Sequence, residues 1–176
     1  YTLILEFVKY PQINEGNMGS IVEIEGIYHL DKALAQNRGA IIANCHFGAK
    51  LLLIMTLGLK KYPINQIAYH MSKEQLTYIQ EKVSLKQRLK IETGFDVTYL
   101  YINNPMRRCF TCLEDNEVLL VAIDGKGELI EPFRGAINVK FLDQKVYFPT
   151  GIATLSKRKM TPVLTAAVFR KPDGTY

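Results

Sequence analysis

The stretch Gly39 to Leu59, GAIIANCHFGAKLLLIMTLGL, constrains the fold of this chain more than any other. It opens apolar and β-branched at Ala40-Ile41-Ile42 and passes through Asn44-Cys45-His46-Phe47-Gly48. It then runs on in Leu, Met and Ala, which favour helix. The pattern predicts strand, tight turn, helix. A side chain at such a turn stands at the carboxyl end of a strand, where open α/β sheets bind ligands, and near helix N–H groups that stabilise negative charge. His46 holds that place. Two other readings stay open at this point. The stretch is also long enough for a membrane span, which needs about 20 apolar residues, although Lys50 alone would then cost about 3 kcal/mol near the bilayer centre. His46 is equally readable as a buried, hydrogen-bonded and inert histidine.

The remaining chain can bury such a segment. With 176 residues, 48% of them hydrophobic and 22% charged, it reads as a single domain over 1–176. A chain of this size hides about 70% of its unfolded surface on folding, and the composition excludes disorder. A net charge of +5 favours anionic partners. Nucleic acid is not expected among them, because there is no Gly-rich phosphate loop and the Lys and Arg residues are scattered without an aromatic platform. The cysteines are Cys45, Cys109 and Cys112. Cys109-x-x-Cys112 lacks a second pair to complete a zinc site and falls in a helix-like setting, so the two are expected to be reduced and to serve packing, with no metal bound. The chain starts at Tyr1 and ends abruptly at Tyr176. It therefore reads as trimmed at both ends, with an anchor or amphipathic helix outside it still open.

Taken in order, Tyr1 to Tyr10 is expected to be the end of a helix and Asn14 to Gly19 a loop. Ile21 to Gly26 alternates apolar and acidic residues, as a half-exposed strand does. His29 to Gln36 reads as a short helix before the pivot. Pro63 to Tyr69 reads as a strand, and Ser72 with Gln75 caps a helix towards Thr93. Val97 to Leu100 is a short strand, and Asn104-Pro105 opens a helix to about Asp115. Glu117 to Ile123 is a continuous apolar run typical of a parallel strand covered on both faces. It delivers Asp124-Gly125-Lys126-Gly127 to the edge shared with His46. After a loop with Pro132, Ala136 to Leu142 and Lys145 to Phe148 read as strands about a turn at Asp143-Gln144. Pro149-Thr150-Gly151 opens a helix to Lys159, and Pro162 to Phe169 is a last strand. Strands alternating with helices predict an α/β fold with a mixed, mostly parallel sheet flanked by helices.

Three of these segments form an ordered set: His46-Phe47-Gly48 after a strand, Phe141-Leu142-Asp143-Gln144, and Phe148-Pro149-Thr150-Gly151 opening a helix, with Pro162 in the final strand. In this order the chain resembles the lysophospholipid acyltransferase superfamily, most of all its bacterial branch, the late acyltransferases of lipid A biosynthesis. The likeness covers most of the chain and implies a glycerolipid acyltransferase-like fold. It also exposes three departures. The family has an acid five positions after the histidine, and here that residue is Leu51. The family arginine after the Phe-Leu-Gly turn is Gln144, and an Asn-Trp pair within the histidine motif is Ala49-Lys50.

The resemblance implies transfer of a fatty acyl group from an acyl thioester, on acyl carrier protein or coenzyme A, to a lipid or glycolipid acceptor. No bound cofactor is implied. His46 would take a proton from the acceptor as it attacks. N–H groups at Phe47 to Lys50 would stabilise the oxyanion, and apolar helix surface would cradle the acyl chain. Asp124 is the first candidate to replace the acid missing at Leu51. Phe47, Gly48, Lys50, Lys73, Lys126, Phe148 and Gly151 are the expected substrate contacts, the lysines meeting phosphate. The expected setting is the cytoplasmic face of an inner membrane. The alternative left open by Leu51 is an altered or inactive relative that binds acyl chains or a protein partner.

Overall fold

The computed structural model describes residues 10–68, 94–95, 97–101, 106–124 and 135–176. Several expected features fall outside them: the helix end before Tyr10, the helix capped by Ser72, the Pro105 helix start, and the segments that carry Lys73, Lys126 and Pro132. The described elements are α1 (Met18–Ile21), α2 (Ile27–Leu34), β1 (Ala40–Asn44), α3 (Lys50–Leu59), β2 (Ile64–Ala68) and β3 (Val97–Tyr101). They continue with α4 (Arg107–Glu114), β4 (Val118–Ala122), β5 (Ala136–Phe141), β6 (Gln144–Pro149), α5 (Gly151–Lys159) and β7 (Val163–Thr165).

Five strands form one sheet in the order β3-β2-β4-β1-β7, and every described pairing in it is parallel. The antiparallel component is separate, a two-stranded sheet of β5 and β6. This is the expected α/β architecture. The apolar runs of β1 and β4 lie side by side inside the sheet, and their alternate residues feed two cores. Ala40, Ile42, Val118 and Leu120 pack with Leu30 and Ala33 of α2 and with Leu52 and Met55 of α3. Ile41, Leu119 and Val121 pack on the other side with Cys109, Cys112 and Leu113 of α4 and Leu155 of α5.

α3 (Lys50–Leu59) packs on the first core, with Leu52, Ile54, Met55 and Leu57 buried and Leu51, Leu53 and Leu59 half-buried. Among the described residues no helix is long and apolar enough to cross a membrane. The Cys109 and Cys112 thiols are free and buried, and burial is the main cause that pushes the pKa of Cys112 up to about 12. They serve packing.

Local differences from the sequence reading have physical reasons. The strand expected at Ile21 to Gly26 is an extended run after α1, which itself begins within the expected loop. Among the described residues its ladder is to the chain's last residue alone: Glu23 N–H donates to the Tyr176 carbonyl at 2.8 Å, and Tyr176 N–H donates to the Ile21 carbonyl at 2.9 Å. The alternation reported which side chains face inward, but a single partner residue cannot make a strand. The hairpin turn falls at Leu142-Asp143, not Asp143-Gln144, with φ of 48° and 63°. A two-residue turn with both residues left-handed matches the twist of the flanking strands. The last strand is shorter than expected, because β7 meets only Ile41 to Ala43 of β1.

Candidate active site

The register of β1 against β4 carries His46 to Asp124. Ala40 lies beside Val118 and Asn44 beside Ala122, and the Ile123 N–H still donates to the Asn44 carbonyl at 2.8 Å past the strand ends. Continuing the same spacing of 78 residues puts Asp124 next to His46. One carboxylate then holds both the main chain and the ring of the histidine. The His46 N–H donates to Asp124 Oδ2 at 2.7 Å, and the ring Nδ1 lies 2.8 Å from Oδ1.

An ionised carboxylate only accepts hydrogen bonds, so Nδ1 is assigned the proton and Nε2 keeps its lone pair. The His46 side chain is 48% exposed, which removes the reading of a buried, inert histidine. Burial acts against the charged form of Asp124, but the His46 N–H, ring hydrogen bond and charge together outweigh it. Its pKa falls below the ordinary carboxylate value. A carboxyl whose folded pKa is depressed contributes stability above its unfolded pKa, and that contribution is lost as pH falls through the folded value. Thermal melts across that acid window should therefore bring wild type and Asp124→Asn together from an initial gap. A gap that stays constant down to the lowest pH would count against the contact.

Cys45 is exposed, but burial of its sulfur and then the Asp124 charge raise its pKa, which favours the protonated thiol. The turn itself depends on Gly48, which sits at φ +62°. A Cβ there would come within 2.1 Å of the Val168 carbonyl oxygen. The same carbonyl accepts the Ala49 N–H at 3.5 Å, so the turn lies against the chain that follows β7. Ala49 and His46 thus have their N–H groups occupied, and α3 starts only at Lys50. The oxyanion donors expected over Phe47 to Lys50 are fewer than the sequence suggests.

A histidine gripped by a carboxylate at the carboxyl edge of a parallel sheet is the setting in which family comparison becomes informative. The chain matches the family described as bacterial lipid A biosynthesis acyltransferase over residues 2–176. It belongs to that family. No curated protein matches the chain.

The other expected site residues of this lipid A-type acyltransferase are distributed unevenly. Phe47 is 59% exposed directly beside His46, Gly48 forms the turn, and Lys50 opens α3 half-buried. Leu51 is half-buried and packs against the first core, offering the imidazole no hydrogen-bonding group. Phe148 is half-buried in β6 opposite Ile137, and Gly151 is the exposed first residue of α5. The β5–β6 hairpin and the start of α5 are tied together instead, through the Thr150 N–H and hydroxyl, which both donate to the Gly135 carbonyl at 2.8 Å. Among the described residues no group of three or more His, Cys, Asp or Glu could hold a metal.

The nearness of Phe169 to the His46 turn was not legible from any motif. Its ring stands 5.6 Å from that of Phe47 at an interplanar angle of 63°, an edge-to-face contact. The one available signal was alternation. Leu164, Ala166 and Val168 pack on the core, and Phe169 puts an aromatic ring on the opposite, exposed row.

Proposed function

We propose that this acyltransferase moves a fatty acyl group from a thioester to a hydroxyl or amine of a lipid or glycolipid, with His46 as general base and Asp124 as the residue that orients it. Asp124 takes over the part that the family resemblance gives to an acid at position 51. The observation that carries this reading is the double contact of one carboxylate with the N–H and Nδ1 of His46.

In this mechanism Nε2 removes the acceptor proton while the acceptor oxygen or nitrogen bonds to the acyl carbon. The carbon–sulfur bond then breaks, and the imidazolium returns the proton to the departing thiolate. Asp124 holds the ring in the tautomer that leaves Nε2 basic, and its charge stabilises the imidazolium. Acyltransferases of this family use acyl carrier protein thioesters and need no metal, which supports the same donor here, with acyl-CoA as the second candidate. A net charge of +5 suits both the acidic donor and an anionic membrane surface. The cytoplasmic face of the inner membrane is the corresponding location.

The test is transfer by the purified protein from labelled acyl carrier protein and acyl-CoA to a bacterial lipid extract. Wild type should form labelled lipid, and His46→Ala should lose it by at least about 10²-fold. Transfer that survives in His46→Ala, or a wild type that binds donor without turnover, would overturn the reading. The second result would leave a noncatalytic binder of acyl chains.

A further inference from the structure

We propose that the β5–β6 hairpin is a membrane-docking arm, with Phe141 and Leu142 at its tip entering the interface of an anionic bilayer. This deepens the reading of the protein as an acyltransferase with a lipid acceptor and rests on it for the choice of partner.

The register of the hairpin sorts its side chains. Cross-strand partners share a face, and Ile137 with Phe148, Val139 with Val146, and Phe141 with Gln144 place five apolar residues on one of the two. Lys140 lies opposite Lys145 on the other face, next to the pair of Asn138 and Tyr147. A two-stranded ribbon is marginal alone and ordinarily packs its apolar face on a core. Here no residue of β5 or β6 is buried, and neither core takes one in. Ile137 and Phe141 are 53% and 55% exposed.

The tip is stranger still. Leu142 is the first residue of the turn, at φ 48°, where asparagine or glycine is less strained than a bulky side chain. It is also 83% exposed. Water rewards neither choice, whereas a leucine carried by a turn into lipid gains by leaving water. The charges suit the same surroundings. Asp143 is paired with Lys140 at 2.8 Å, and Lys145 stays exposed beside the tip, on a chain with a net charge of +5. Lysines next to an apolar tip reach anionic headgroups while their stems lie along hydrocarbon. The place of the arm in the fold agrees. α5 leads to the amino end of β7, where the Pro162 carbonyl accepts the Ile41 N–H, so its first residue, Gly151, lies toward the carboxyl edge of the sheet. Thr150 ties that end to Gly135 at the base of the hairpin. The arm therefore springs from the edge that carries His46, and docking it turns that edge to the lipid surface.

Cosedimentation with vesicles tests the arm without turnover. The vesicles are phosphatidylethanolamine and phosphatidylglycerol in equal parts, or phosphatidylcholine alone. Wild type should bind the anionic vesicles, and His46→Ala should bind them equally well. Leu142→Asn should weaken binding about tenfold while its melting temperature holds or rises, because asparagine suits a left-handed turn. Phe141→Thr should weaken binding by a similar factor. Lys145→Gln should lose about fivefold on the anionic vesicles and little on phosphatidylcholine. A wild type that stays in solution with both kinds of vesicle would overturn the arm, and so would Leu142→Asn binding like wild type. Phe141→Thr that melts early with unchanged binding would also sink it, because the face would then be covered by the chain itself. A concentration-dependent dimer that either variant dissolves would make the occupant a second copy and overturn the membrane assignment. Retention of transfer in His46→Ala would sink the catalytic reading alone, since the vesicle comparison stands without it.

Discussion

Asp124→Asn should lower kcat for acyl transfer by about 10²–10⁴-fold with little change in KM, in a protein that still folds. The reason is a count of acceptors. His46 presents two donors to this side chain, its backbone N–H and Nδ1–H, and the carboxylate accepts one on each oxygen. An amide of the same shape has a single acceptor. If its oxygen keeps the backbone N–H, its NH₂ faces Nδ1 and forces the proton to Nε2, which removes the base. If the amide turns round, two N–H groups confront each other at the backbone and the turn is disturbed. Either way the imidazolium loses its charged partner. KM is spared because Asp124 meets the histidine and not the substrate. Steady-state kinetics with a thermal melt of each protein checks both halves of the prediction. A variant with wild-type kcat would show that Asp124 holds the turn and nothing more, leaving His46 to act without an orienting acid.

How the site became visible follows from the same geometry. The strand-turn-helix character of the pivot and the burial of β4 were legible because continuous apolar runs leave few alternatives. His46 and Asp124 could each be assigned to the carboxyl end of such a run. Their contact could not be read with equal ease, because it depends on a register between strands 78 residues apart, and register is set by packing across the sheet. The same limit explains the misread strand at Ile21 to Gly26, where periodicity named the inward residues Val22 and Ile24 but said nothing about a partner. It also explains the helix start. Composition favoured helix from Phe47 onward, but the left-handed Gly48 and the Ala49 bond to Val168 delay α3 to Lys50. That bond joins segments far apart in sequence, and so does the ring contact that reveals Phe169. Local pattern located the elements; the contacts that build the site are long-range.

Gly48→Ala should cost about 2–4 kcal/mol of stability, roughly 5–15 °C in thermal midpoint for a chain of this size. Two penalties act together. An alanine at φ +62° is strained whatever space surrounds it, and its Cβ would stand 2.1 Å from the Val168 oxygen and 3.3 Å from the Val168 carbonyl carbon. The obstacle is backbone, so it cannot be relieved by a change of rotamer. Gly19→Ala is the matched control, since nothing lies within 4 Å of a Cβ there and the residue is in α1; it should be neutral or stabilising by about 0.5–1 kcal/mol. The molecules of Gly48→Ala that do fold must separate the turn from the segment after β7. That displaces Phe169 from Phe47 and pulls on His46 at the same time, so transfer should fall further than the loss of folded protein accounts for. Melting and specific activity per folded molecule, measured side by side, separate the two effects. An alanine variant that melts with wild type would mean that the close approach of Gly48 to Val168 is not what holds the site. A variant that melts early but transfers normally would mean that the turn is needed for stability alone, and that His46 keeps its place through Asp124 without help from the neighbouring chain.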